Sequence, residues 1–289
     1  MTVDALYEAV TASKGGDPLA PVTVVTPSTY SAVAARRALA LAARGQARGG
    51  VANVACTTLD LLVAQLGAPS LWRRGLRSVA PAVEIEVVRQ VAAGGPEAWR
   101  RLASHPRTLV ALQGAFSDLR RLTPPALEAL ARQPVRGAEV AALLVAVRSH
   151  LHQRGLADAL DLRQAALEAL SEGLPMPDEL GAVVLYALPP LSPGDAAFLD
   201  ALALRVPCVA VDGPDPPPAD ERWVCSDPEQ EVRTAVRQVV AGMEAGVPLW
   251  RHALLHPPGP AYPRLIHQEL DAAGIPSNGP ERRRLDGTG

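Results

Sequence analysis

Lysine is almost missing from this chain: Lys14 is the single one among 28 Lys and Arg residues. A P-loop requires G-x-x-x-x-G-K-[ST], so that the ammonium reaches the β- and γ-phosphates while loop amides cradle them. Lys14 lies in Thr11-Ala12-Ser13-Lys14-Gly15-Gly16, with no glycine leading into it and no Ser/Thr behind it. No acidic cluster precedes it either, so a nuclease that pairs acidic metal ligands with lysine finds no counterpart here. Aromatic residues are also scarce, at 3%, and the core must be built from Ala, Leu and Val. Such side chains bury less area each, which calls for many close helix contacts.

Other absences narrow the class further. Three cysteines, Cys56, Cys208 and Cys225, are widely spaced with no C-x-x-C, as expected for reduced, mostly buried thiols of a cytoplasmic protein. Met1 to Glu8 carries Asp4 and Glu8 and lacks the basic start and apolar run of a signal peptide. No uncharged apolar stretch reaches the roughly 18 residues of a spanning helix, so no membrane is expected. A net charge of −2 gives no overall attraction to nucleic acid, and any such groove must be a local arginine patch. No G-x-S-x-G and no glycine-rich dinucleotide fingerprint occurs. His252 and His256 fall in an apolar run that reads as a strand, which sets them about 13 Å apart, too far for a metal pair. His150 and His152 diverge on a helix, as do Glu84 and Glu86.

What remains is ordinary globular composition, 48% hydrophobic and 20% charged over 289 residues, enough for two domains or one with a large insertion. Val22-Thr23-Val24-Val25 predicts a buried strand and Tyr30 to Arg44 a helix. Val51 to Thr57 predicts a second strand, and Leu59 to Leu66 a second helix ended by Gly67. This alternation is the pattern of a parallel sheet. Residues 81–180 read as helices only, split by Pro96, Pro106, Pro124-Pro125 and Pro134. Strands return at Ala182 to Tyr186 and Pro207 to Val211, around a helix from Pro193 to Leu204. The run Gly213-Pro214-Asp215-Pro216-Pro217-Pro218 reads as a linker. Beyond it come strand candidates Trp223-Val224-Cys225 and His252 to His256, and helices Asp227 to Ala245, with Ser226 as N-cap, and Ala261 to Ala273. The expected organisation is an α/β core over 1–80 and 181–218, an all-helical insertion over 81–180, and the start of a second α/β domain over 219–289.

The last segment carries the most specific pattern. Ser226-Asp227-Pro228-Glu229-Gln230-Glu231-Val232-Arg233 opens a helix, Trp250 to Pro257 follows, and Ala273-Gly274-Ile275-Pro276-Ser277-Asn278-Gly279 closes it. This resembles the opening of the second motor domain in UvrD-like superfamily 1 helicases, and more closely the AddB-type, RecB-related helicase–nuclease subunits of bacterial DNA break repair. Val24-Val25-Thr26-Pro27-Ser28-Thr29-Tyr30 and Asn53-Val54-Ala55-Cys56-Thr57-Thr58-Leu59 resemble two of that family's segments that touch single-stranded DNA. The resemblance implies a degenerate P-loop-type fold, single-stranded DNA and a helicase–nuclease partner subunit as partners, and a PD-(D/E)XK nuclease domain beyond Gly289.

The departures concern the motor. The segment before Val22 holds no G-K-[ST]. Val183-Val184-Leu185-Tyr186 runs into Ala187-Leu188-Pro189, where the family's Mg²⁺-binding acids would stand. Val211-Asp212-Gly213-Pro214-Asp215 lacks the family's glutamine, and Pro257 replaces an arginine. The resemblance therefore implies a motor fold without ATP turnover, with no cofactor in this chain and Mg and ATP confined to the full protein or its partner. The competing expectations are a protein-interaction scaffold without DNA contact and, second, an active NTPase whose motifs are not recognisable in the sequence.

The candidate DNA-binding residues are strand-end hydroxyls and nearby arginines. Thr26, Ser28, Thr29, Thr57 and Thr58 stand where open α/β sheets bind ligands, though Ser28 and Thr58 could equally cap helices. Tyr30 offers a ring for a base, and Arg36 and Arg37 add charge. The triplet Arg282, Arg283 and Arg284 lies beside the family's substrate-contacting loop. The pairs Arg73-Arg74, Arg100-Arg101 and Arg120-Arg121 are further candidates for a phosphate track.

Overall fold

The computed structural model describes residues 3–44, 50–122, 124–134, 136–213, 218–257 and 261–278. Two units are present, Met1–Asp215 and Pro216–Gly289. The first runs α1 (Val3–Ser13), β1 (Val22–Thr26), α2 (Thr29–Arg44), β2 (Val54–Thr58), α3 (Leu59–Arg73) and β3 (Arg77–Ser78). It continues with α4 (Pro81–Gly94), α5 (Glu97–Leu102), α6 (Pro106–Leu119), α7 (Pro124–Ala131) and α8 (Arg136–His152). It ends with β4 (Leu156–Ala157), α9 (Ala159–Ser171), β5 (Ala182–Tyr186), α10 (Pro193–Ala203) and β6 (Cys208–Val211).

The fold class is α/β. One four-stranded sheet has the order β2-β1-β5-β6, and all its pairings are parallel. Every residue of β1 is buried, as a central parallel strand covered on both faces requires. Alternation sends Val22 and Val24 to one face, where they meet Leu6 and Val10 of α1, Leu39 of α2, and Val184. On the other face Val25 and Val183 share a core with Leu62 of α3, Ala165 and Ala166 of α9, and Phe198 of α10. Thr23, one of two threonines in this buried strand, donates its hydroxyl to Leu180 O at 2.7 Å, so that group is not orphaned. β2 begins three residues later than the sequence suggests, at Val54.

Helix α3 does not stop at Gly67. It continues through Gly67 and Pro69 to Arg73, because that glycine serves packing. A Cβ on Gly67 would lie 2.3 Å from Leu162 O, so the absent side chain lets α9 approach the α3 backbone directly. Gly181, just before β5, is constrained in another way. Its φ is +57° and a Cβ there would lie 1.8 Å from Pro21 O, so only glycine fits.

Within the helical stretch, α4, α6 and α8 build a core of their own from Val87, Val88, Leu112, Phe116, Val147 and Leu151. Helix α9 belongs instead to the sheet's core. The chain enters and leaves the α4–α8 block through β3 and β4, a parallel pair in which Arg77 faces Leu156 and Ser78 faces Ala157. Asp158 follows immediately and is buried; its carboxylate caps α9 at the Leu160 and Asp161 amides. The same carboxylate meets Arg120 Nε at 2.9 Å and Arg148 Nε at 3.2 Å, while Arg120 Nη1 lies 2.5 Å from Glu84. One buried ionic cluster thus ties α4, α6 and α8 to the start of α9.

The second unit contains α11 (Pro228–Glu244), a 3₁₀ turn over Leu249–Arg251 and α12 (Ala261–Ala272). Val232, Val236 and Val239 pack on Leu265, Leu270 and Ile275. The N-cap of α11 is Asp227, whose carboxylate accepts from Gln230 N, rather than Ser226, which donates its hydroxyl to Asp227 and Gln230. The strands expected at Trp223-Val224-Cys225 and at His252 to His256 are not formed among the described residues. A strand is made by its ladder, and neither segment has a pairing partner here. All three cysteines are free and half-buried rather than fully buried. Among the described residues no helix is long and apolar enough to cross a membrane.

Candidate nucleic-acid interface

The parallel register places the strand-end hydroxyls side by side. Val25 is level with Thr57 and Thr26 with Thr58, on strands that lie about 4.8 Å apart. Thr26, Ser28, Thr57 and Thr58 therefore share one sheet edge, at the carboxyl ends of β1 and β2. Their hydroxyls, however, face inward to the fold. Thr26 Oγ1 is buried and reaches Ser28 O at 3.0 Å and Thr57 O at 3.1 Å. Ser28 Oγ accepts from Ser31 N at 3.1 Å and lies 2.9 Å from Ser31 Oγ, closing the start of α2. Thr58 Oγ1 accepts from Leu61 N at 3.4 Å as N-cap of α3. Thr57 Oγ1 has only a long contact to Thr58 O, 3.5 Å.

What the edge presents outward is the first turn of α2. Thr29 is exposed, and Tyr30, in the first turn of α2, is 87% exposed. Seven residues on, Arg37 lies on the same helix face. It lines, with Tyr30, Val33, Ala34, Ala38 and Leu41, a shallow depression of about 640 Å³. The helical spacing of that set turns its rings and methyls outward, while Ala35, Leu39 and Ala43 go to the core. Arg36 diverges: its guanidinium meets the Cys56 thiol on β2, which burial nonetheless pushes above the ordinary thiol value. Arg37 forms no ion pair among the described residues, so its charge is available to a ligand.

The other arginine pairs do not make a track. Arg73 bonds Ser70 Oγ at 2.9 Å, Arg74 is bound to Glu168, Arg101 to Glu97, and Arg120 is buried among carboxylates. Arg282, Arg283 and Arg284 lie outside the described residues. At the end of β5, Ala187 takes a left-handed φ of 53° and its amide bonds Val211 O at 2.9 Å. That turn carries no acid.

A hollow of about 800 Å³ in the second unit is lined by Trp250, His252, His256, Leu254, Ile275 and Asn278 among others. His252 Nδ1 donates to Pro248 O at 3.2 Å and His256 Nδ1 to Pro257 O at 2.8 Å, so both rings cap their local backbone. His256 also stacks on Tyr262, with ring centres 6.1 Å apart. Among the described residues no group of three or more His, Cys, Asp or Glu is placed to hold a metal ion.

Sequence reasoning missed Arg163, Asp158 and Asp195. Arg163 is buried on α9 with Nη2 2.8 Å from Asp195, amid Leu162, Ala165, Ala166 and Leu170. The available signal was a charged residue at a core position of an otherwise apolar helix face. For Asp158 it was the Asp-x-x-Asp spacing of a capping box. No protein-family model matches the chain, and no curated protein matches it in sequence.

Proposed function

We propose that this chain is a non-catalytic, helicase-like region that holds single-stranded DNA against the carboxyl edge of its parallel sheet. In this reading it scaffolds a partner subunit of a cytoplasmic break-repair helicase–nuclease, and ATP and Mg²⁺ act elsewhere in that assembly. The observation that carries the reading is Tyr30. An aromatic ring left 87% exposed at the carboxyl edge of a parallel sheet offers its face for a base to stack on. Arg37 on the same helix face supplies an unpaired cation for the adjoining phosphate. Thr29, exposed beside Tyr30, adds a hydroxyl within reach of the same strand.

The test is anisotropy of a labelled single-stranded oligonucleotide across a salt series. Binding should fall steeply with salt as phosphates release counterions. Tyr30→Ala should weaken it by on the order of 1–3 kcal/mol, the worth of one base–ring stack, and Arg37→Gln should flatten the salt slope. Affinity unchanged in both variants would overturn the reading. The same helix face favours one alternative, a protein scaffold without DNA contact, because Val33 and Leu41 are exposed beside Tyr30. That alternative predicts salt-insensitive capture of a partner subunit, abolished by Val33→Asp and Leu41→Asp, with no DNA retained.

A further inference from the structure

The parallel sheet ends at β6, whose far side pairs with no strand among the described residues. The hydrogen bonds on its near side fix which groups that edge presents. Val183 N donates to Pro207 O at 2.8 Å and Ala187 N to Val211 O at 2.9 Å. Successive residues of a strand turn their N–H and C=O to opposite sides, so Pro207, Val209 and Val211 face β5. The main-chain groups of Cys208 and Ala210 therefore point outward, and none has a main-chain partner among the described residues. Native sheet edges are commonly guarded by charge, proline or a bulge. Residues 207–211 carry no charged side chain, and Pro207 does not guard the outer side, because its carbonyl faces β5. Val209 is 43% exposed, and Ala210 is exposed.

We propose that this edge pairs with the β6 edge of a second copy of the chain, antiparallel about a two-fold axis, which joins two sheets into one of eight strands. The outward groups are self-complementary, as a two-fold interface requires. With Val209 on the axis, Cys208 faces Ala210 of the second copy, and Ala210 faces its Cys208. Each is a hydrogen-bonded pair that exchanges two bonds, so every outward donor and acceptor of these two residues is used. Val209 meets its counterpart as a non-hydrogen-bonded pair, with Cα atoms about 4.5 Å apart. Both valines lie on the α1 side, where Val211 also packs, and they cover each other's exposed methyls.

Charge fits the same register. Asp212 comes opposite Val206 of the second copy and beside its Arg205. Arg205 gives Nη1 and Nη2 to Leu170 O and Leu174 O at 2.7 and 3.0 Å and meets no carboxylate among the described residues. Asp212 is exposed and forms no ion pair among them. The sheet's other edge opposes such pairing. There Val22 N donates to Asn53 O, so Cys56 lies at the middle of the outward groups of β2. The Arg36 guanidinium meets the Cys56 thiol, and a two-fold centred there would bring two arginines together. Four main-chain bonds and one valine contact make a small interface, so the dimer is reversible rather than obligate.

Sedimentation velocity of the whole chain over a dilution series tests this, and a monomer–dimer equilibrium is expected. Val209→Lys and Val209→Asp each set like charges opposite on the axis and should weaken the dimer at least tenfold. Their melting temperatures should match that of the unaltered chain, since this side chain already reaches solvent. An equimolar mixture of the two variants should restore the dimer, because opposite charges then meet. Asp212→Arg, at an exposed position, should weaken it at least tenfold as well. Ala55→Lys on β2 should leave it unchanged. Under mild oxidation Val209→Cys should cross-link at position 209, as the paired Cα distance lies within the disulfide range. A chain that stays monomeric at every concentration overturns the proposal. So does a dimer that persists in both Val209 variants, a mixture of them that remains monomeric, or a dimer lost in Ala55→Lys, which would place the contact at β2.

Discussion

Thr26 and Tyr30 are four residues apart on one connection, yet their surroundings are opposite. Thr26 is 0% exposed, and its hydroxyl joins the β1–α2 turn to β2 through two carbonyls. Thr26→Val keeps the shape and strands both acceptors, which should lower stability by about 1–3 kcal/mol in chemical denaturation while leaving the proposed DNA binding as it was. A loss of affinity at unchanged stability would instead make Thr26 a contact. The sequence places hydroxyls at the strand ends but does not tell contact from cap. Serine and threonine are favoured at that junction for backbone hydrogen bonding alone, and only the three-dimensional partner decides. Arg36 and Arg37 carry the same lesson. Adjacent in sequence, they point about 100° apart on a helix, one to the Cys56 thiol and one to the outer face.

Among the elements, the α3–α9 contact is the least forgiving. Gly67→Ala would ordinarily favour a helix, but here the new methyl meets Leu162 O at 2.3 Å. Forcing the helices apart should cost about 1–3 kcal/mol, read as a lower denaturation midpoint with an unchanged slope. A neutral or stabilising result would show that α9 can move. Helix α11 makes a prediction about pH. The amide of Gln230 and then the Ser226 hydroxyl hold the Asp227 carboxyl below the ordinary aspartate range. A carboxylate depressed in this way stabilises the fold fully above its unfolded value, about 3.9, and that contribution is lost as pH falls below it. Helicity and melting temperature should therefore drop on acidification from about pH 5 to pH 2. Asp227→Asn, which caps without ionising, should flatten part of that slope; an identical slope would assign it to other carboxylates. The strong periodicity of α11 and α12 makes both legible in sequence. The strands expected on either side of α11 are not formed, because a short apolar run is only strand-capable until something pairs with it.

For the whole molecule, the parallel sheet was readable because its strands are short apolar runs set between helices, with the central β1 a fully buried β-branched one. The two-residue β3–β4 pair and the ionic cluster around Asp158 were not. A two-residue strand has no periodicity, and ion pairs between Glu84, Arg120 and Asp158 join positions far apart in sequence. The missing G-K-[ST] and Mg²⁺-binding acids lead to a further expectation. The purified chain should release no phosphate from ATP above background, with or without single-stranded DNA, since positioning and metal binding both lack their residues. DNA-stimulated turnover abolished by a point change in this chain would show that a motor is present after all.

The short β3–β4 pair also bears on how the chain reaches its fold. Thr23 and Leu180, which bond across the β1–β5 junction, are 157 residues apart, and contacts that distant ordinarily slow folding. Helices α4 to α8 assemble from nearer contacts. Once they bring Arg77 to Leu156, about half of the intervening chain drops out of the search. Each halving of a loop lowers its closure cost by only about 0.6 kcal/mol, but the gain falls on the step that joins the two halves of the sheet. The helical block then acts as a clasp in time as well as in space, and variants that loosen it should delay the sheet's formation before they weaken the finished protein.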